Sequence, residues 1–249
     1  MENNYQHLRD SYEEKGYFII RNGIDTNILD KAFKEIISSK KTITFKDRLQ
    51  SLRRIEQIYD KGPNLLSVNK LILKYLSEIF LEDFYLFKDK YNAKPPKGEG
   101  FFAHYDGIFK WPDVNGVVRD GWYYYAQSFV NVLVCIDPMT DNNGPLEISH
   151  EHKNNFEELM EKTKNNGTPD ILNSVENSIK FERMICNSGN LVFFSNRCPH
   201  RSSKNHSGID RRTIYYTYNP KTDGNNYSKY FADKIDSKNP TIKSLSGEI

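Results

Sequence analysis

The sequence predicts a mainly β protein, a sandwich or jelly roll, with α-helices ahead of the β core. Three observations predict it. At residue 84 the apolar period changes from a helical stripe to the alternation of strands. Several short strand-like segments divided by turn signals follow through the second half. Sixteen Tyr and 15 Phe in a chain with only 37% hydrophobic residues fit a β-rich core under a charged surface, not disorder.

The elements follow in order. Tyr5 to Lys15 reads as a short helix broken by Gly16, and Tyr17-Phe18-Ile19-Ile20 as a strand turned by Asn22-Gly23. Asp25 or Thr26 caps a helix whose apolar positions Ile28, Leu29, Ala32, Phe33, Ile36 and Ile37 share one face. Lys40 to Gln50 is basic and unpatterned, and reads as a loop or lid. A second helical stripe runs from Leu65 to Phe80. Phe84 to Lys94 is a long strand stopped by Pro95-Pro96, and the turn after it feeds the strand-like Phe101 to Asp106. A long loop spans 107–125. Strands are expected at Gln127 to Asp137, Leu146 to Ile148, Ile179 to Cys186, Leu191 to Ser195 and Arg212 to Tyr218. A single domain over 1–249 is expected, helical over 1–83 and β over 84–220. An insertion is expected near 150–178, helical around Phe156 to Met160, and a polar tail or cover over 221–249.

Charge and cysteine content exclude several classes. With 35 basic and 33 acidic residues, no strong field steers the chain toward nucleic acid or a membrane. Three cysteines without CxxC pairing argue against a disulfide framework or a structural zinc site. No secretory signal and no apolar run of about 20 residues is visible, so a cytoplasmic location is expected.

The chemistry is sought at His104 and Asp106. Residues two apart on a strand share a face, so this imidazole and carboxylate make two-thirds of a metal site. Of the six histidines, His200 is the best third ligand, since it follows a strongly apolar strand and Pro199. Two His and one carboxylate with open positions beside them is the arrangement of non-haem Fe(II) oxygenases. One of Arg211 and Arg212 could hold a carboxylate by a bidentate pair. Alternation sends the two to opposite faces. If Arg211 faces in, Thr213, Tyr215 and Thr217 face in with it.

The chain resembles the Fe(II)/2-oxoglutarate dioxygenases, specifically the phytanoyl-CoA dioxygenase-like family. His104-Tyr105-Asp106, His200 and Arg211 match its HxD…H…R pattern, and His200 to Arg211 fits H-x-S-x-x-N-x-S-x-x-x-R at every fixed position. Gly16 to Ile20, Asn92 to Pro96 and Asn143 to Glu147 resemble further family segments. The usual V-P-G-S-H after that last turn is replaced by Ile148-Ser149-His150-Glu151-His152.

The resemblance implies a double-stranded β-helix of the jelly-roll, cupin-like kind with helices outside. It implies Fe(II) on His104, Asp106 and His200, and 2-oxoglutarate on Arg211, Ser202 and Asn92. It further implies hydroxylation of a small molecule with O₂, while 2-oxoglutarate is converted to succinate and CO₂. The carboxylate of Asp106 favours hydroxylation, because halogenating relatives lack it. Desaturation, epimerisation or ring closure at the same site are the alternatives, as is a non-catalytic binding or sensor protein. Phe102, Trp111, Arg119, Gln127 and Asn131 are the candidate substrate contacts, and Lys110 and Arg119 lean toward a polar or anionic substrate.

Overall fold

The computed structural model describes residues 5–46 and 50–236. Three helices and three strands come first: α1 (Gln6–Lys15), β1 (Tyr17–Ile20), α2 (Thr26–Ser38), β2 (Ile43–Lys46), β3 (Leu52–Glu56) and α3 (Pro63–Phe80). The β core follows with β4 (Phe84–Lys94), β5 (Phe101–His104), β6 (Lys110–Pro112), β7 (Val118–Asp120), β8 (Val130–Cys135) and β9 (Leu146–Ile148). After α4 (Phe156–Glu161) and α5 (Asn173–Ser178) come β10 (Glu182–Arg183), β11 (Leu191–Ser195), β12 (His200–Ser202), β13 (Arg211–Pro220) and α6 (Tyr227–Asp236).

Two antiparallel sheets face each other. The major sheet runs β1-β11-β8-β13-β4-β3-β2 and the minor sheet β10-β9-β12-β5, with β6 and β7 a separate hairpin. The central strands β11, β8, β13 and β4 are buried on both faces, so their alternation sorts side chains between two interiors. Ile214, Tyr216 and Tyr218 of β13, Val132 and Val134 of β8 and Tyr91 of β4 pack outward against Leu29 and Ile36 of α2 and Ile72 and Leu76 of α3. Each of these aliphatic side chains contributes roughly 1.5–3 kcal/mol by leaving water. The opposite parity faces the minor sheet, where Leu133, Cys135, Val192 and Phe194 meet Leu146 and Ile148.

The helices begin where their caps are. The Asp25 carboxylate accepts the Asn27 N–H at 2.7 Å at the head of α2. Glu35 of α2 accepts the backbone N–H groups of Asn64 and Leu65, so one helix caps the other.

Five stretches differ from expectation. Residues 43–46 are a strand, not part of a loop or lid, because Ile43 to Lys46 pairs with β3; residues 47–49 lie outside the described part. The strand expected from Gln127 begins at Val130, and the strand expected over 179–186 shrinks to β10. The loop at 107–125 contains the β6–β7 hairpin and a short 3-10 turn at Gly121–Tyr124. The stretch from 221 is not a polar tail in its described part. There α6 buries Tyr230 and Phe231 against Phe87, and the Tyr227 hydroxyl donates to Asp89 at 2.8 Å. Its stripe at 227, 230, 231 and 234 has the helical spacing of a packed face. Residues 237–249 lie outside the described part. Among the described residues, no helix is long and apolar enough to cross a membrane.

Candidate active site

His104 ends β5 and His200 begins β12, and the two stand opposite each other across that strand pair. Their rings lie 4.2 Å apart between centroids. Asp106 follows two residues after His104, where its N–H donates to the Asn196 carbonyl and the Asn196 amide returns a bond to the Asp106 carbonyl, both at 3.1 Å. Gly107 then turns the chain away at φ +80°, with Trp122 packed where a Cβ would stand, 2.6 Å off. His200 Nε2 is 3.6 Å from Asp106 Oδ2. One donor atom from each of His104, Asp106 and His200 lies within 4.8 Å of the others.

These residues fit a metal ion by their donor chemistry. His104 Nδ1 lies 2.7 Å from the Phe102 carbonyl, and His200 Nδ1 lies 3.1 Å from the Cys198 carbonyl. A carbonyl only accepts, so Nδ1 carries the proton in each ring and Nε2 keeps its lone pair. Burial, with His104 beside it, pushes the His200 pKa down to about 3, which keeps the imidazole in its neutral, ligating form. Burial works to raise the Asp106 carboxyl, but His200, Lys90, His104 and Lys88 outweigh it and hold the pKa below its ordinary value. Asn131 of β8 donates to Asp106 Oδ2 at 3.0 Å, and the Thr217 hydroxyl bonds the other end of the same amide at 2.7 Å.

Further along the same inner face lies a group of polar atoms with no partner. Arg211 is buried, its Nε has no acceptor, its Nη1 reaches the Met139 sulfur at 4.0 Å, and its guanidinium also bonds the Tyr215 side chain. Asn92 Oδ1 and Thr213 Oγ1 are buried and unpaired as well, and Asn92 and Thr213 are register partners two residues along β13 from Arg211. A buried guanidinium without a carboxylate is costly, so the arrangement suits an anionic ligand. Arg212 points the other way: it forms a two-pronged bond to Asp137 at 2.7 Å and lies over the Phe33 ring. Ser202 Oγ accepts from Lys94 Nζ at 2.8 Å, and the same ammonium donates to the carbonyls of Gly144 and Ser203. The spacing from His200 to Arg211 also has a structural cause. Asn205 donates to the Lys94 and Ile209 carbonyls and accepts from Ser207, which knits the loop between β12 and β13.

A cavity of about 180 Å³ opens over the two histidines and Asp106. Asn92, Phe102 and Ser202 line it, and so does Tyr215, which the alternation of β13 turns inward. The other sequence-named substrate contacts lie elsewhere. Trp111 is buried in an aromatic cluster with Trp122 and Phe129, and Arg119 pairs with Asp113 at 2.8 Å. Gln127 is exposed and bonded through its backbone to Asp223, because the strand that would have turned it inward starts three residues later. Asn131 is spent on Asp106. Lys88, Lys90, Phe109 and Thr168-Pro169-Asp170 also line the cavity and escaped the sequence reading. The lysines share the phase of Asn92, which is the signal that could have found them. The insertion reaches the site through the bridge of Asp170 to His104.

The model of the phytanoyl-CoA dioxygenase family matches residues 12–213. The chain belongs to that family. Its members are iron- and 2-oxoglutarate-dependent oxygenases, and curated relatives include two named for phosphonates. The 2-aminoethylphosphonate dioxygenase of the uncultured bacterium HF130_AEPn_1 is 27% identical over 200 residues, 79% of this chain and 70% of that one. The methylphosphonate hydroxylase of Gimesia maris is 29% identical over 150 residues, 60% of this chain and half of that one. Among solved structures, EctD from S. alaskensis with 2-oxoglutarate and 5-hydroxyectoine superposes with a TM-score of 0.68 at 15% identity, covering 87% of this chain and 76% of that one. The α-ketoglutarate-dependent carbocyclase SnoK from nogalamycin biosynthesis gives 0.66 at 15% identity, covering 87% and 84%. At that identity the likeness shows the fold, the jelly-roll core of cupin-like Fe/2-oxoglutarate enzymes.

Proposed function

We propose that this family member is a non-haem Fe(II)/2-oxoglutarate-dependent oxygenase that hydroxylates a small polar or anionic molecule. The observation that carries the reading is the set of donor atoms from His104, Asp106 and His200, oriented by the Phe102 and Cys198 carbonyls and by Asn131. In this reading the three residues hold Fe(II). Arg211 takes the far carboxylate of 2-oxoglutarate as a bidentate pair, and Asn92, Thr213 and Ser202 supply its remaining polar contacts. Iron with 2-oxoglutarate and O₂ supplies the oxidising power, with succinate and CO₂ as the co-products.

The residues of the chain supply position and exclusion of water. Phe102 and Phe109 give the cavity apolar walls beside the histidines, and Thr168 to Asp170 close it from the insertion. The neutral His200 and ionised Asp106 are held in ligand form before any ion arrives, so no proton has to leave either residue on binding. The phosphonate relatives support a small anionic substrate over a long acyl chain, as does the cavity volume.

The test is a metabolite panel, phosphonates first, screened for substrate-stimulated release of succinate, with the product mass read beside it. A product heavier by one oxygen is expected. A product lacking two hydrogens, or an isomer, would replace hydroxylation by desaturation, ring closure or epimerisation. A protein that binds neither Fe(II) nor 2-oxoglutarate would be a jelly-roll binding or sensor protein instead.

A further inference from the structure

Two lysines stand in the cavity without a carboxylate in hydrogen-bond or ion-pair contact. Lys88 and Lys90 of β4 point to the inner face, in phase with Asn92, and line the same cavity as His104, Asp106 and His200. Neither has a hydrogen-bond or ion-pair partner among the described residues. Their ammonium groups lie over rings instead. Lys88 Nζ is 4.4 Å from the Trp122 centroid and 5.6 Å from that of Tyr230, and Lys90 Nζ is 4.9 Å from Tyr215.

The neighbouring carboxylates are already engaged. Glu56, opposite Lys90 in the β3–β4 pair, is bonded by Lys234 and faces Arg54 at 3.5 Å. Asp89 points to the other face of the sheet, where it accepts from the Ile58 and Tyr59 N–H groups and the Tyr227 hydroxyl. Asp106 belongs to the metal-binding set. With Asp106 committed to a metal, two neighbouring cations in a low-dielectric cavity are destabilising, and a protein keeps them where a ligand supplies the charge.

We propose that Lys88 and Lys90 bind the doubly charged tetrahedral head of the substrate, a phosphonate or phosphate group. This inference rests on the oxygenase reading of the cavity and names its substrate class. Two point charges that rotate freely match an oxyanion whose negative charge is spread over three oxygens, whereas a planar carboxylate is better met by the fork of an arginine such as Arg211. The rings of Trp122, Tyr230 and Tyr215 hold the ammonium groups in place without spending their charge. With a cavity of about 180 Å³ to share with the cosubstrate, the molecule carrying the head is small.

The experiment is an anaerobic calorimetric titration of the full chain loaded with Fe(II) and 2-oxoglutarate. The probes are methylphosphonate, methyl phosphate, and the monoanions methanesulfonate and acetate. One or both dianions should bind, roughly tenfold or more tighter than either monoanion. The dianion that binds tells a carbon-linked from an oxygen-linked head. Lys88→Met and Lys90→Met should each weaken that binding by about tenfold or more, while 2-oxoglutarate affinity stays as in the wild type. Lys90→Arg, which keeps the charge, should retain most of the binding.

Three results would overturn the proposal. A loaded complex that takes up neither dianion would do so, as would equal affinity for the monoanions. Loss of 2-oxoglutarate affinity in the Met variants would assign the lysines to the cosubstrate. If the protein takes up no Fe(II) or 2-oxoglutarate, the oxygenase reading falls. The lysines are then decided by the same titration of the metal-free protein, where dianion binding lost in the Met variants sustains the anion site and no binding removes it.

Discussion

Asn131 gives its side-chain amide to Asp106 at 3.0 Å, and Thr217, its register partner on β13, bonds the other end of that amide at 2.7 Å. The hydroxyl fixes which end of the amide faces the carboxylate, so Asp106 Oδ2 meets a donor. Side chains that orient a ligand in this way typically carry 10–100-fold in metal affinity. Asn131→Ala should therefore weaken Fe(II) binding by about that factor while leaving the fold intact, read by anaerobic metal titration with a thermal melt beside it. Thr217→Val should give a smaller loss, because the amide is then free to turn. Unchanged metal affinity in Asn131→Ala would remove this role.

Arg211 is buried with an unpaired Nε, so its worth lies in a ligand. Removing a charged partner of this kind costs about 2–5 kcal/mol of binding, or roughly 30-fold and more in Kd. Arg211→Ala should weaken 2-oxoglutarate by that much in an anaerobic titration. Arg211→Lys should recover little, since an ammonium cannot form the two parallel bonds of a guanidinium. Arg212→Ala should leave 2-oxoglutarate binding near the wild type and lower stability, because that side chain pairs with Asp137 on the helix-facing side.

Lys90 ties function to a stability cost. Burial, then Lys88, pushes its pKa down to about 7 from 10.5, against the opposing pull of Asp106 and Glu56 and with Arg54 adding to the depression. The unfolded chain therefore binds more protons than the folded one between about pH 7 and 10.5. This group's contribution to stability is complete above the unfolded value and is lost as pH falls through about 7. Lys90→Met should raise the melting temperature, most at pH 6 and least near pH 10, as it weakens anion binding. A lower melting temperature at pH 6 would mean that the ammonium is stabilised by contacts the structure does not contain.

Much of the architecture was legible because strand alternation leaves a trace in the sequence. Phe84 to Lys94 has the bounds expected from its pattern and its Pro-Pro stop, and β9 and β11 match their expected spans. The parity of β13 holds: Arg212 faces Phe33 while Tyr215, in phase with Arg211, faces the cavity. What parity cannot say is which face of a doubly buried strand is the cavity. In β4 Lys88, Lys90 and Asn92 line the site while Leu86 and Tyr91 pack toward the helices, and nothing in the alternation marks the lysine face as the inner one. Strand β3 was missed for the same reason: Arg53, Arg54 and Glu56 are buried charges inside a sheet. Trp111 and Arg119 were named for their place in a long loop, and the loop's own hairpin carried them away from the cavity; Gln127 was named for strand phase with Asn131, and the strand begins only at Val130.

Gly144 shows why the turn after β8 needs its glycine. Its φ is +68°, and a Cβ there would stand 2.2 Å from the Ser203 carbonyl oxygen and 2.8 Å from Lys94 Nζ. Gly144→Ala should destabilise the protein by ~1–3 kcal/mol or more, through the strained backbone and the displaced Lys94 bonds. Chemical denaturation measures it, and a change under about 0.5 kcal/mol, typical of an ordinary surface site, would contradict this packing.

The central claim is that His104, Asp106 and His200 hold a working Fe(II) centre. Succinate formation from 2-oxoglutarate by wild-type and His200→Ala proteins tests it most directly, with circular dichroism confirming that the variant is folded. The wild type should form succinate only when Fe(II), O₂ and 2-oxoglutarate are all present, and the variant should form none. Wild-type succinate production by a folded His200→Ala protein would contradict the account.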